Sequence, residues 1–137
     1  MKTSVCICLL FLVSLGAPAA PDRNDGKSPQ TEFKARYHRW VAAIYDHPRT
    51  MLSSSSGPYI DFPEYDAIVA LGKPGLPALA DEIEANGDMA LFLGEAIIRI
   101  TGWNPADFYT PGLGLQDSNR LLLKRLRAEK LIPPKSP

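Results

Sequence analysis

Cysteine is confined to positions 6 and 8, histidine occurs only twice, and neither sign of charge is in excess. Beyond residue 13 no apolar run approaches the roughly 20 residues that a membrane-spanning helix requires. Each absence closes off a class of function. Without cysteine in the body of the chain there is no disulfide framework, no thiol nucleophile and no Cys/His metal spacing. Fifteen basic residues against fifteen acidic ones argue against nucleic acid as a partner, because phosphate binding needs a net basic surface. Also missing are a G-x-S-x-G turn and, outside the N-terminal segment, any convincing strand.

The N-terminus reads as a secretory signal peptide spanning residues 1–19. Lys2 precedes an apolar run over 5–13, and Ala17-Pro18-Ala19 fits the small-x-small pattern, so cleavage is expected after Ala19. Cutting after Ala20 instead would leave Pro21 at the scissile bond. The run is too short to anchor the chain in a bilayer about 30 Å thick. Cys6 and Cys8 lie at its start, whereas a lipid-modified cysteine would follow it. A secreted or periplasmic location is therefore expected. Cleavage would remove both cysteines and leave about 118 residues with fourteen basic and fifteen acidic side chains. A single domain of that size buries roughly 65% of its unfolded surface, enough to fold without staples.

The remainder divides into a flexible leader (20–27), one helical domain (28–132) and a disordered tail (133–137). Ser28-Pro29 reads as a cap followed by a first-turn proline, and Phe33, Tyr37, Trp40, Val41 and Ile44 form one helical stripe that His47-Pro48 ends. Residues 49–60, with four consecutive serines and Gly57-Pro58, read as irregular. Asp61 and Glu64 then have capping-box spacing for a second helix carrying Tyr65, Ile68, Val69 and Leu71. A third helix carries Leu76, Leu79, Ala80 and Ile83 and runs to Asn86-Gly87. Asp88 is the expected cap of a fourth, with Met89, Phe92, Leu93, Ala96, Ile97 and Ile100, closed by Gly102. After a glycine-, proline- and aromatic-rich loop (103–115), Asp117 or Ser118 opens a fifth helix that Pro133-Pro134 terminates. The fold class is all-α, about five helices.

The densest cluster of glycine and proline is "VALGKPGLPALADEI" over 69–83. A phosphate-binding loop would follow a strand and present backbone N–H groups. Here a helix precedes, and two prolines remove donors, so the segment reads as a turn between helices. Ala67-Ile68-Val69-Ala70-Leu71 recurs in pattern as Ala96-Ile97-Ile98-Arg99-Ile100, 29 residues later. Two helices and two turns fill that offset. Together with Pro77-Ala78-Leu79 this segment, about 61–103, resembles the short HEAT-like helical repeats. The resemblance implies stacked helical pairs and a role in protein–protein contact, and it carries no site residues. One repeat is too few for a free solenoid, so flanking helices must cap it. The mature chain as a whole is also similar to small exported bacterial proteins.

Few residues offer chemistry. His38 and His47 are nine apart, about 180° around a straight helix, which does not make a metal or base pair, and Asp46 adds no ligand spacing. Serines 53–56 lie near His47 and define the alternative reading, a small hydrolase, although no oxyanion hole is signalled. Asp81, Glu82 and Glu84 read as a solvated helix face. Glu95 and Arg99 have i,i+4 spacing for an ion pair. Arg120, Lys124, Arg125, Arg127 and Lys130 make the last helix basic. The stripe is short and such residues suit a helix C-terminus; membrane-surface contact, or docking of an acidic partner that could be the chain's own acidic third helix, is the lesser alternative.

Aromatics are the remaining signal. Trp40, Tyr45, Tyr59, Trp103, Phe108 and Tyr109 gather around the two loops, and would line a groove if both opened on one side of the helices, or plug the ends of the core otherwise. Tyr59, Trp103, Phe108 and Tyr109 are the candidate binding residues. No catalytic, cofactor or metal residue is assigned. The reading that results is an exported non-catalytic module with a protein partner, with an inhibitor or immunity-type protein as a further alternative.

Overall fold

A computed structural model describes residues 26–135. The expected signal peptide, most of the leader and the last two residues lie outside this range. The fold is all-α, and no strand occurs among the described residues. Five helices have seven residues or more: α1 (Pro29–Tyr45), α4 (Pro63–Val69), α5 (Leu76–Glu84), α6 (Leu93–Thr101) and α7 (Leu115–Ala128). Two single-turn helices, α2 (Pro48–Met51) and α3 (Gly57–Ile60), lie between α1 and α4.

α1 starts where Ser28 caps it, its hydroxyl oxygen accepting from the Thr31 N–H at 3.2 Å. Its stripe of Phe33, Tyr37, Trp40 and Ile44 is buried, and it packs along α4 and α5. α6 in turn packs against α4, α5 and α7. Tyr65, Ile68, Leu76, Leu79, Leu93, Ile97, Leu122 and Leu126 are each fully buried and join α1 in one core. The turn reading of 69–83 holds. Gly72 adopts φ 62° and ψ −159°, a region that side-chain-bearing residues avoid, and a 3-10 turn over Lys73–Gly75 leads into α5.

Several boundaries differ from expectation, each for a local reason. Segment 49–60 is not wholly irregular. His47 ends α1 and also caps α2, its Nδ1 accepting from the Arg49 N–H at 3.2 Å, while the buried Thr50 hydroxyl sits 2.8 Å from the His47 carbonyl. The serines themselves are not helical, but Gly57-Pro58 opens α3. Asp61 does not cap α4. That helix begins at Pro63 after an extended Phe62, which places Glu64 too early for a capping box, and Asp61 pairs instead with Arg49 at 2.7 Å. Asp88 does not open a helix either. Met89 takes a left-handed φ of 60°, a 3-10 turn follows over Ala90–Phe92, and α6 starts at Leu93.

α7 begins at Leu115 and ends at Ala128, well before the prolines. Lys130 at φ 57° lets the Leu131 N–H reach back to the Leu126 carbonyl at 2.9 Å, the Schellman closure usually built with glycine. The same closure ends α5, with Asn86 at φ 53° and the Gly87 N–H on the Glu82 carbonyl. Beyond α7, Ile132 is buried, whereas Pro133, Pro134 and Lys135 are exposed and irregular.

Gly94 sets the distance between α6 and α7. A Cβ at this position would fall 2.2 Å from the Asn119 Oδ1 and 3.1 Å from both a Leu122 methyl and the Tyr109 hydroxyl. In an open helix, Gly→Ala gains about 1 kcal/mol of propensity. Here, crowding of buried neighbours should reverse the sign, and Gly94→Ala is expected to cost 1–3 kcal/mol, on the order of other overpacked sites. Urea denaturation checks this; a stabilised variant would show that the two helices do not approach so closely.

Candidate functional site

The two irregular segments flank the start of α6, where Phe92 holds the first of them. Tyr59, carried by α3, stacks face to face on the Phe92 ring with centroids 4.5 Å apart and planes 9° from parallel. The Trp40 indole N–H, from the middle of α1, donates to the Tyr59 carbonyl at 2.7 Å. The Tyr65 hydroxyl, from α4, donates to the Phe92 carbonyl at 2.6 Å, and its ring meets Trp40 edge-on at 5.1 Å. The Tyr59 hydroxyl lies 3.0 Å from the Thr50 carbonyl and 3.2 Å from that of Ser53, and so ties the serine loop to the same cluster.

The second loop is fastened from α7. Buried Ser118 donates to the Phe108 carbonyl at 2.9 Å, and buried Asn119 donates from Nδ2 to the Leu91 carbonyl at 3.1 Å. Ser118 thus ties the second loop to α7, while Asn119 ties down the 3-10 turn Ala90–Phe92 that leads into α6. Ser118 was expected to be a helix cap and Asn119 had no expected role. Their spacing of four and three residues from Leu122 places them on the apolar face, and that periodicity was the available signal.

Between the loops runs a groove of about 490 Å³, walled by Ser56 and Ile60 on one side, Phe92 and Glu95 at its base, and Tyr109 and Leu113 on the other. The four candidate binding residues divide between two places. Tyr109 lines the groove, and Tyr59 braces it from behind Phe92. Trp103 and Phe108 instead form their own stack at 5.5 Å, with the Arg125 guanidinium 4.5 Å above the Trp103 ring and held by Glu129 at 2.9 Å and Asp107 at 3.3 Å. Phe108 is buried, so this stack fixes the second loop and does not face the groove. Of the other aromatics, Trp40 is fully buried and Tyr45 is 63% exposed.

The remaining candidates find partners of their own. His47 is hydrogen-bonded to Arg49 and meets the Phe62 ring edge-on at 5.1 Å; it bonds none of the serines, and the Ser53 hydroxyl turns to Ser55 at 3.2 Å. The pairing that a serine hydrolase requires is thus not formed. His38 is exposed on α1. Glu95 does pair with Arg99, at 3.4 Å. On α7, Arg120 pairs with Asp117 at 2.8 Å and Arg127 with Glu84, so part of the basic face is neutralised by the chain's own acids, including one from α5. Among the described residues no group of three potential metal ligands converges, and no helix is long and apolar enough to cross a membrane. No protein-family model matches the chain, and no curated protein or solved structure matches it at a significant level.

Three phenols feel this packing. Burial, and secondarily the negative Glu95, pushes Tyr109 up to about 12. Burial likewise raises Tyr37 and Tyr65 well beyond the ordinary range, with Glu82 and then Asp88 adding to the effect at Tyr37. An unfolded tyrosine loses its proton near pH 10. The folded state holds these protons more tightly, so the Tyr109 contribution is complete below pH 10 and is lost as pH rises through about 12. Urea unfolding measured across that window should show falling stability, with a shallower fall in Tyr109→Phe; identical slopes would mean that Tyr109 is not buried as described.

Proposed function

We propose that the protein is an exported, non-catalytic binding module that docks a segment of a partner protein in the groove between its two loops. The observation that carries this reading is the groove itself: two loop segments 49 or more residues apart in sequence (Ile60 to Tyr109) flank one cleft, lined largely by apolar side chains, on a scaffold of side-chain-to-backbone hydrogen bonds. Such preformed, mostly apolar concavities are the usual form of a recognition site. The His47 imidazole and the Thr50 and Ser53 hydroxyls have structural partners, which favours binding over hydrolysis.

The HEAT-like resemblance belongs to the same proposal. In its favour, Ile68 and Ile97, the equivalent positions of the two pentads, are both fully buried, and α4 packs against α6. The internal pairing of the α7 arginines favours a protein partner over an anionic membrane surface. Export to the periplasm or medium rests on the N-terminal pattern of Lys2, the apolar run and Ala17-Pro18-Ala19.

Photo-crosslinking tests the site. A benzophenone amino acid placed at Leu113, in the groove, should capture a discrete protein from envelope extract or medium, whereas the same probe at exposed Lys34 on α1 should not. Ser56→Trp fills the cleft from an exposed position that makes no side-chain cap, and should reduce capture at 113 to background without altering the fold. Equal capture at both positions, or capture indifferent to Ser56→Trp, would contradict the proposal.

A further inference from the structure

Resting on the groove reading above, we infer that the segment it accepts presents an arginine or lysine between apolar residues, and that Glu95 is the group that selects it. Glu95 is the only charged residue along the groove walls, and its side chain is 28% exposed. Its one ionic partner is shared. Arg99 reaches Glu95 through Nε at 3.4 Å and Asp66 through Nη1 at 3.3 Å, while its guanidinium lies 5.5 Å over the Tyr65 ring. A well-formed charge-assisted N–H···O contact runs at about 2.7–2.9 Å, so both are stretched. One cation serves two carboxylates, and a negative charge is left in excess at the base of the groove. Tyr109 beside it remains a neutral phenol until about pH 12, and so adds a donor and no charge.

The consequence follows from desolvation. A purely apolar occupant would strip water from Glu95 and give nothing back, a cost incurred by any uncompensated buried charge. An acidic occupant would meet like charge. A guanidinium or ammonium restores the lost interactions, and the apolar residues on either side of it cover Ile60, Phe92 and Leu113. The sequence of the partner segment is thereby restricted to a basic position within an apolar run.

A library of random heptapeptides displayed on phage and selected on the protein tests this. Selected sequences are expected to place Arg or Lys between apolar residues. Replacing that arginine by citrulline, its neutral isostere, should weaken binding about three- to tenfold, as expected for a partly exposed charge-assisted pair. Glu95→Gln should erase the difference between the two peptides. Arg99→Gln, by releasing Glu95 from its competitor, should tighten the arginine peptide, an effect that loss of structure would not produce. Peptides that Ser56→Trp blocks but that show no basic preference, or that bind Glu95→Gln unchanged, overturn the role of Glu95 and leave the groove standing. Peptides that bind Ser56→Trp equally well, or no enrichment at all, overturn both.

Discussion

The serine-rich loop is held by a joint at Phe92, a residue that also lines the candidate groove. Its ring carries Tyr59, and its carbonyl accepts from Tyr65; the Tyr59 carbonyl in turn accepts from Trp40. An aromatic stack of this kind contributes about 0.5–1.5 kcal/mol beyond the area it buries. Each buried hydrogen bond nets about 1 kcal/mol, and costs more than that when one partner is left alone. The three contacts are coupled, because Trp40 and Tyr65 also touch each other. Breaking either hydrogen bond leaves a polar group without its partner, and the stack and the two bonds support one another through the shared residues.

That coupling explains how a segment of four serines can take part in a site. Serines 53–56 have little to bury and no helical preference, yet Thr50, Tyr59 and the Arg49–Asp61 pair fix both of their flanks. The second loop is fixed by a different device, the Ser118 hydroxyl from α7 and a cation over stacked rings. In the proposed binding role, a cleft braced on both sides in this way would lose little conformational freedom on being filled, a saving that favours affinity. Its electrostatics are equally local. Most charges pair with each other across the surface, and Glu95 alone borders the cleft.

Helix content was legible in the sequence because it was written in period: of the expected stripe, Phe33, Tyr37, Trp40 and Ile44 are buried and Val41 half-buried, and the two pentads bury Ile68, Ala96, Ile97 and Ile98 while exposing Ala70 and Arg99. Helix ends were less legible. Asp61, Asp88 and Asp117 all had cap chemistry, but left-handed Met89, extended Phe62 and Gly114 set the actual starts, since tertiary contacts outweigh a cap worth about 1 kcal/mol. The site was half legible. Aromatic richness marked the two loops that flank the groove; Tyr109 lines it, while Tyr59 stacks behind Phe92. Composition could not separate them from Trp103 and Phe108, whose orientation depends on Arg125 arriving from α7. Phe92 had been read as an ordinary core residue, because nothing local marks a carbonyl that a distant tyrosine will need.

Hydrogen exchange at the two indole N–H groups tests the joint most directly. Trp40 is fully buried and bonded to Tyr59, whereas Trp103 is half-buried at the edge of its own stack. The Trp40 proton should exchange only through large-scale opening, far more slowly than that of Trp103, and Phe92→Leu should accelerate Trp40 selectively. Comparable rates for both indoles in the unaltered protein would mean that the serine loop is not docked, and that the groove is not preformed.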